Sequence, residues 1–197
     1  MIAAIASTPP PNSARERVLE AATNLFATHG FQAIGLRDLA SYLGIHAGSL
    51  YHHIENKQCL LFELIESALN DLLTDTKRRM RGANTPRERL WRFIKTFVAF
   101  TLSEQQRLVL VTREFVNLSE EHQYQANQLK DAYWSLLSTI IVDELRSKGD
   151  PDPQVCLITH AVIGMLHGQS QWNDLDVTEH HLAEMLTDCV MCIIERS

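Results

Sequence analysis

Proline is scarce and clustered: six residues, at positions 9–11, 86, 151 and 153, in a chain of 197. Because an interior proline breaks a helix at a cost of about 3 kcal/mol or more, the long intervals between these positions are open to helix. Strict apolar/polar alternation is sustained nowhere, which argues against a half-buried sheet. No uninterrupted apolar run approaches the ~20 residues of a membrane span, so no membrane partner is expected. The four cysteines (Cys59, Cys156, Cys189, Cys192) lie inside helix-like apolar patterns. That usage fits a reducing, cytoplasmic compartment better than a disulfide scaffold. Residues 1–12, MIAAIASTPPPN, lack the charged start and apolar core of a secretory signal and read as a disordered leader.

Catalytic signatures are missing too. There is no glycine-rich phosphate loop, HExxH or Gly-x-Ser-x-Gly. Nor does the chain contain the Glu-x-x-His pair that a di-iron helical bundle needs. Neither an enzyme nor a cofactor is expected. The net charge of −6 argues against indiscriminate coating of nucleic acid. Residues 1–57 are nonetheless formally neutral: Arg15, Arg17, Arg37 and Lys57 balance Glu16, Glu20, Asp38 and Glu55. The whole acidic surplus therefore lies beyond residue 57.

The most informative stretch is 36–57, LRDLASYLGIHAGSLYHHIENK. Leu36, Leu39, Ala40 and Leu43 form one apolar face of a short helix. Gly44 supplies a residue able to take a left-handed backbone at the helix end. His46-Ala47-Gly48-Ser49 then opens a second helix with Leu50 and Ile54 inward. This is a helix-turn-helix pattern, whose second helix can lie in the DNA major groove. At seven or eight residues that helix would be about 11 Å long, suited to a groove ~12 Å wide.

The remaining chain reads as further helices, about nine in all, so the fold class is all-α. Ser13-Ala14-Arg15-Glu16 is a capping box opening a helix that Gly30 ends. A long helix runs from Lys57 to the cations Lys77, Arg78, Arg79 and Arg81, closed by Gly82. Thr85-Pro86-Arg87-Glu88 combines a capping box with first-turn proline. Ser103 begins another helix ending near Asn117, Ser119 caps one running to Gly149, Asp152-Pro153 opens the next, and Thr178 caps the last. The domains expected are a helix-turn-helix unit over 13–57, linked through helix 57–81, and a ligand-binding and dimerisation domain over 58–197.

From Val18 to about Leu61 the chain resembles the TetR family of bacterial transcriptional regulators. The resemblance is carried by Phe26, Gly30, Phe31, Leu36-Arg37-Asp38-Leu39-Ala40, Gly44-Ile45, Gly48-Ser49-Leu50-Tyr51-His52-His53 and Lys57. It implies a three-helix DNA-binding domain on a larger helical domain that dimerises and holds an inducer pocket. It also implies that Ala47, Gly48 and Ser49 face base edges, that Tyr51 and His52 contact groove and phosphate, and that Lys57 anchors the DNA backbone. Two positions depart from the family pattern. Gly35-Leu36 stands where a phosphate-binding threonine is frequent, and alanine occupies position 47, often basic or polar.

Two readings of His46 stand, a groove contact or a surface cap, and Arg37 is either a phosphate contact or a solvated residue. The partner expected is an operator of double-stranded DNA, palindromic because one reading unit sees only a few base pairs. Ala161, Gly164 and Gly168 make a small-residue ridge on the helix from 153 to about 172. Together with Leu182, Met185, Leu186, Cys189 and Ile193 of the last helix, it predicts a homodimer through a four-helix bundle. Phe93, Phe97, Phe100, Phe115, Tyr133, Trp134, His160 and His167 are candidates to line a cavity for a small-molecule effector. Apolar walls with a few polar handles suit a lipophilic or aromatic molecule, including one carried as a thioester. Repression relieved by effector is the family's default. Rival readings are a helical adaptor without DNA binding and a metal or thiol sensor. The second draws on the Cys156/His160 spacing, on His180 and His181, and on the Cys189-x-x-Cys192 pair.

Overall fold

The computed structural model describes residues 13–147, 155–169 and 177–195. Among the described residues every regular element is helical. These are α1 (Ala14–His29), α2 (Leu36–Leu43), α3 (Ala47–Leu50), α4 (Lys57–Met80), α5 (Pro86–Ser103), α6 (Gln105–Val109), α7 (Glu120–Ser147), α8 (Val155–Gln169) and α9 (Glu179–Glu195). A π-helical turn (Leu110–Glu114) and a 3₁₀ turn (Phe115–Asn117) join α6 to α7. The expected leader over 1–12, the stop at Gly149 and the start at Asp152-Pro153 lie outside the described residues. None of the described helices is long and apolar enough to cross a membrane.

Local chemistry accounts for the helix ends. The Glu16 amide donates to Ser13 Oγ at 3.1 Å and the Ser13 amide to Glu16 Oε2 at 2.9 Å, a reciprocal box at α1. Gly44 takes φ 68°, ψ 28°, and its amide and that of Ile45 return to carbonyls of α2, so the chain turns sharply into α3. At α5 Thr85 caps as expected, accepting from the Glu88 amide at 3.1 Å. The returning carboxylate of Glu88 instead takes the Asn84 amide at 3.0 Å, while also accepting from Arg92.

The helix expected to start at Ser103 does not. Ser103 ends α5, its hydroxyl donating back to the Ala99 carbonyl at 2.9 Å, and Glu104 stands at the junction. The following segment changes hydrogen-bond pitch twice before Asn117. Turns of this kind re-aim side chains that an unbroken helix would spread around its circumference.

Two apolar cores share α4. Leu60, Leu61, Leu64, Ile65, Ala68 and Leu69 pack with Phe26, Phe31, Leu39, Leu50 and Ile54, and with Leu110, Val111, Leu118 and Ala126 from further along the chain. Leu72 and Leu73 belong to the second core, with Phe93, Phe97, Leu137, Ile141, Val162, Leu186 and Val190. Each fully buried Leu, Ile or Phe contributes about 1.5–3 kcal/mol of transfer free energy. The first core therefore crosses residue 57: the segment after α6 closes it from below.

Candidate DNA-binding and effector sites

The α2–turn–α3 unit puts the expected reading residues on the surface. Leu50 and Ile54 are buried, while His46, Gly48, Ser49, Tyr51 and His52 are exposed and Ala47 is half-buried. Tyr51, 58% exposed, points away from the core that Leu50 occupies. A Cβ built on Gly48 meets nothing within 4 Å, so nothing inside the protein requires glycine there. Arg37 is exposed on α2, and no side chain caps that helix: Gly35 stands at its N-cap with its amide on Asp38 Oδ2 at 2.7 Å. The second helix is shorter than expected. Only Ala47–Leu50 is α-helical; the amides of His52 and His53 bond three residues back, to Ser49 and Leu50, and tighten the coil into turns.

Lys57, expected as a DNA-backbone anchor, is also engaged within the protein. Its ammonium donates to the Phe31 carbonyl at 2.5 Å and lies 4.1 Å from the Phe31 ring centroid. Burial holds its pKa below the usual lysine range, opposed by the nearby charges of Asp38 and Glu114. Lys57 thus locks the turn after α1 to the start of α4.

Glu114, which sequence reasoning missed, faces that lock. It is buried at 4% exposure, and its carboxylate accepts from the Phe31 amide at 3.3 Å, Asn117 Nδ2 at 2.7 Å and Arg113 Nε at 2.8 Å. Arg113 in turn donates to the carbonyls of Phe26 and Ala27 at the end of α1. The available signal was an acid four residues after Leu110, on an otherwise apolar face.

The π turn reaches a second feature. Leu108 and Val111 help to wall an apolar cavity of about 30 Å³, with Ala68, Leu69 and Leu72 of α4, Phe97 and Phe100 of α5, Lys130, Tyr133 and Trp134 of α7, and His167 of α8. Five of the eight expected lining residues are there: Phe97, Phe100, Tyr133, Trp134 and His167. Three are not. Phe93 is core, stacked behind Tyr133 at 4.7 Å between centroids. Phe115 stands outside with its ring under the Lys130 ammonium at 4.3 Å. His160 is exposed, edge-on to Trp134. Helix periodicity explains these misses, since aromatics on one helix divide between faces about 100° apart per residue.

Lys130, not anticipated, is the cationic member of the wall. Burial lowers its pKa, with Asp131 opposing, and burial followed by the Lys130 charge lowers that of His167. Burial raises the pKa of the Tyr133 phenol; its hydroxyl and that of Thr76 are both sealed from solvent without a hydrogen-bond partner. Thr76 acts on the Tyr133 titration, yet the two hydroxyls lack hydrogen-bonding geometry. The cavity has room for a few water molecules at ~10–15 Å³ each. Any larger occupant must displace a wall. Leu72 and Phe100 separate it from an open cleft of about 320 Å³ between α4 and α5.

On α8 and α9 the expected dimer residues divide. Ala161, Gly164, Gly168, Met185 and Cys189 are exposed, and a Cβ on Gly164 or Gly168 meets nothing within 4 Å. Leu182 and Leu186 are buried in the protomer's own core at 7% and 8% exposure, and Ile193 packs against that core. The correction follows from helix spacing: 182, 186, 190 and 194 face inward, leaving 185, 189 and 192 outward. Leu157, 66% exposed, extends the outer face. Cys156 Sγ lies 3.5 Å from His160 Nδ1, which is also 2.7 Å from the Cys156 carbonyl. Among the described residues no group of three or more His, Cys, Asp or Glu has an arrangement that could hold a metal ion.

Residues 18–64 match the family model described as "Bacterial regulatory proteins, tetR family", and residues 83–194 match "Tetracyclin repressor-like, C-terminal domain". Over 115 residues, 58% of this chain, the sequence is 32% identical to the HTH-type transcriptional repressor KstR2 of Mycolicibacterium smegmatis. The match spans about half of that curated relative's length, 56%. The crystal structure of the TetR family regulator PfmR from Thermus thermophilus superposes with a TM-score of 0.79 at 27% identity, covering 88% of this chain and 96% of that one. AibR, crystallised with isovaleryl coenzyme A and operator DNA, shares the fold at a TM-score of 0.79 and 19% identity, over 88% of this chain and 95% of its own.

Proposed function

The chain belongs to the TetR family of regulatory DNA-binding proteins, and from that premise we propose that it is a repressor of a palindromic operator, released by a small apolar effector. The observation that carries the reading is the buried Glu114. One carboxylate holds Phe31 and, through Arg113, the end of α1, while Leu108 and Val111 of the same segment wall the cavity. An occupant that moves that wall shifts the seat of the reading head. That is differential binding of two conformations, the requirement for an effector to change DNA affinity.

In this reading Ser49 bonds a base edge, Ala47 contacts a thymine methyl, and Gly48 lets the backbone approach the bases. Arg37, His46, Tyr51 and His52 take phosphate and groove contacts, and the uncapped first amides of α2 add donors for phosphate. Lys57 holds the turn that positions them. Two such heads pair through the exposed face of Leu157, Ala161, Gly164, Gly168, Met185 and Cys189, which would otherwise leave apolar surface in water. AibR, which shares the fold, was crystallised in complex with isovaleryl coenzyme A and operator DNA, so a protein of this architecture can hold both a thioester and DNA.

Selection of bound duplexes from a random library by the full chain tests the DNA half. An inverted repeat is expected. A selected sequence without dyad symmetry, or no enrichment at low ionic strength, overturns it.

A further inference from the structure

The charge of the effector can be read from the groups around the cavity. Lys130 is half-buried, with its ammonium 4.3 Å from the Phe115 ring centroid and 5.7 Å from that of Trp134. Among the described residues no carboxylate stands within ion-pair distance of it. Two aromatic faces compensate a partly desolvated cation less fully than an anion does. Beside it Tyr133, 7% exposed, carries a sealed hydroxyl without a partner. A buried donor left unmade is costly, and an incoming acceptor would satisfy it.

The other side of the Phe100 wall has the opposite character. The α4–α5 cleft sets Asp71, Asp75 and Glu104 against Arg79 and Arg107. Arg107 is already paired, 2.5 Å from Asp71 and 3.7 Å from Glu104. With Asp75 also held 2.8 Å from Arg78, the cleft is charge-balanced and offers no cluster of unpaired cations to the polyphosphate head of a nucleotide thioester. One cation among apolar walls matches one negative charge on an apolar body. His167 adds no second positive charge, since burial and Lys130 both disfavour its protonated form.

We infer that the effector is a small apolar monocarboxylic acid, its body against Phe97, Phe100 and Val111 and its carboxylate on the Lys130 ammonium. The inference rests on the cavity being the effector site proposed above. Tyr133 is the second donor.

Calorimetric titration of the full chain with octanoate, phenylacetate, their primary amides and octanoyl coenzyme A tests it, on wild type, Lys130→Met, Lys130→Arg and Tyr133→Phe. At least one acid should bind, with its amide about tenfold weaker or more, the scale of one charge-assisted hydrogen bond. Lys130→Met should lose that tenfold for the acid and leave the amide unchanged, while Lys130→Arg keeps acid binding within a few-fold. Tyr133→Phe should weaken the acid a few-fold. Equal binding of acid and amide, failure of both acids, or tighter binding of octanoyl coenzyme A that Lys130→Met leaves intact overturns the inference. Operator release in the same samples separates the two proposals. An acid that binds through Lys130 without releasing DNA sinks the regulatory reading alone. An amide that releases DNA where the acid does not sinks the inference alone.

Discussion

The backbone amide of Phe31 donates to Glu114 Oε2 at 3.3 Å, across 83 residues of sequence. Phe31 lies in the turn between α1 and α2, and Glu114 ends the π turn beside the cavity. Glu114→Ala would leave the buried Phe31 amide without its acceptor and remove the carboxylate partner of Asn117 Nδ2 and of the solvent-facing Arg113. Hydrogen bonds to a charged group contribute about 1.5–3 kcal/mol, so a loss of about 2–4 kcal/mol is expected in urea unfolding. Glu114→Gln, which retains an acceptor, should lose less. Equal stability of Glu114→Ala and wild type would show that the lock is idle.

Gly48 separates stability from binding. Because its Cβ direction is empty, Gly48→Ala should not destabilise the protein and can add up to ~1 kcal/mol of helix propensity. Operator affinity should nevertheless fall about tenfold, equivalent to ~1.4 kcal/mol, since the added methyl stands between backbone and bases. Thermal melting and fluorescence anisotropy on a selected operator read the two quantities. Unchanged affinity would place the bases elsewhere.

Gly164 makes the same separation for assembly. It is exposed, with open space around it, so Gly164→Leu should leave the protomer folded while shifting sedimentation toward monomer. Leu186→Ala, by contrast, cuts into the protomer's own core and should cost about 2–5 kcal/mol of folding stability. A dimer indifferent to Gly164→Leu would rule this face out.

The half-buried imidazole of His167 gives a pH dependence. Burial and Lys130 hold its pKa below the ordinary 6.5, so the unfolded chain binds the proton first as pH falls. Its contribution is therefore intact above pH 6.5 and declines as the pH drops toward the folded value. Between pH 7.5 and 5.5 the wild-type Tm should fall further than that of His167→Gln, by about 2–4 °C for each kcal/mol lost. Parallel curves would remove His167 from the acid response.

The legible parts are those coded by neighbours in sequence. The Ser13–Glu16 box, the Gly44 turn, the inward Leu50 and Ile54 and the outward Tyr51 all follow from spacing and backbone preference, and the structure keeps each. The errors share another origin. Periodicity marks a residue as apolar and helical without saying which neighbour covers it. Hence it cannot tell that Leu182 and Leu186 pack in the protomer's own core, or that Phe93, Phe115 and His160 do not line the cavity that Phe97 and Trp134 do. Lys57 reads only as a DNA-backbone anchor, because no sequence rule reveals that its ammonium meets the Phe31 carbonyl.

The order of residues alone determined that the regular elements among the described residues are helices, where most of those helices begin, and which short segment carries the pattern for a DNA groove. These are short-range properties, set by torsion preferences, end-capping side chains and one repeat of apolar residues. Only the tertiary structure decided that a glutamate and an arginine after α6 grip the end of α1 and the turn after it, and that a lysine of α7 stands beside a cavity against two aromatic rings. Those relationships depend on pairs dozens of residues apart, whose meeting is settled by packing.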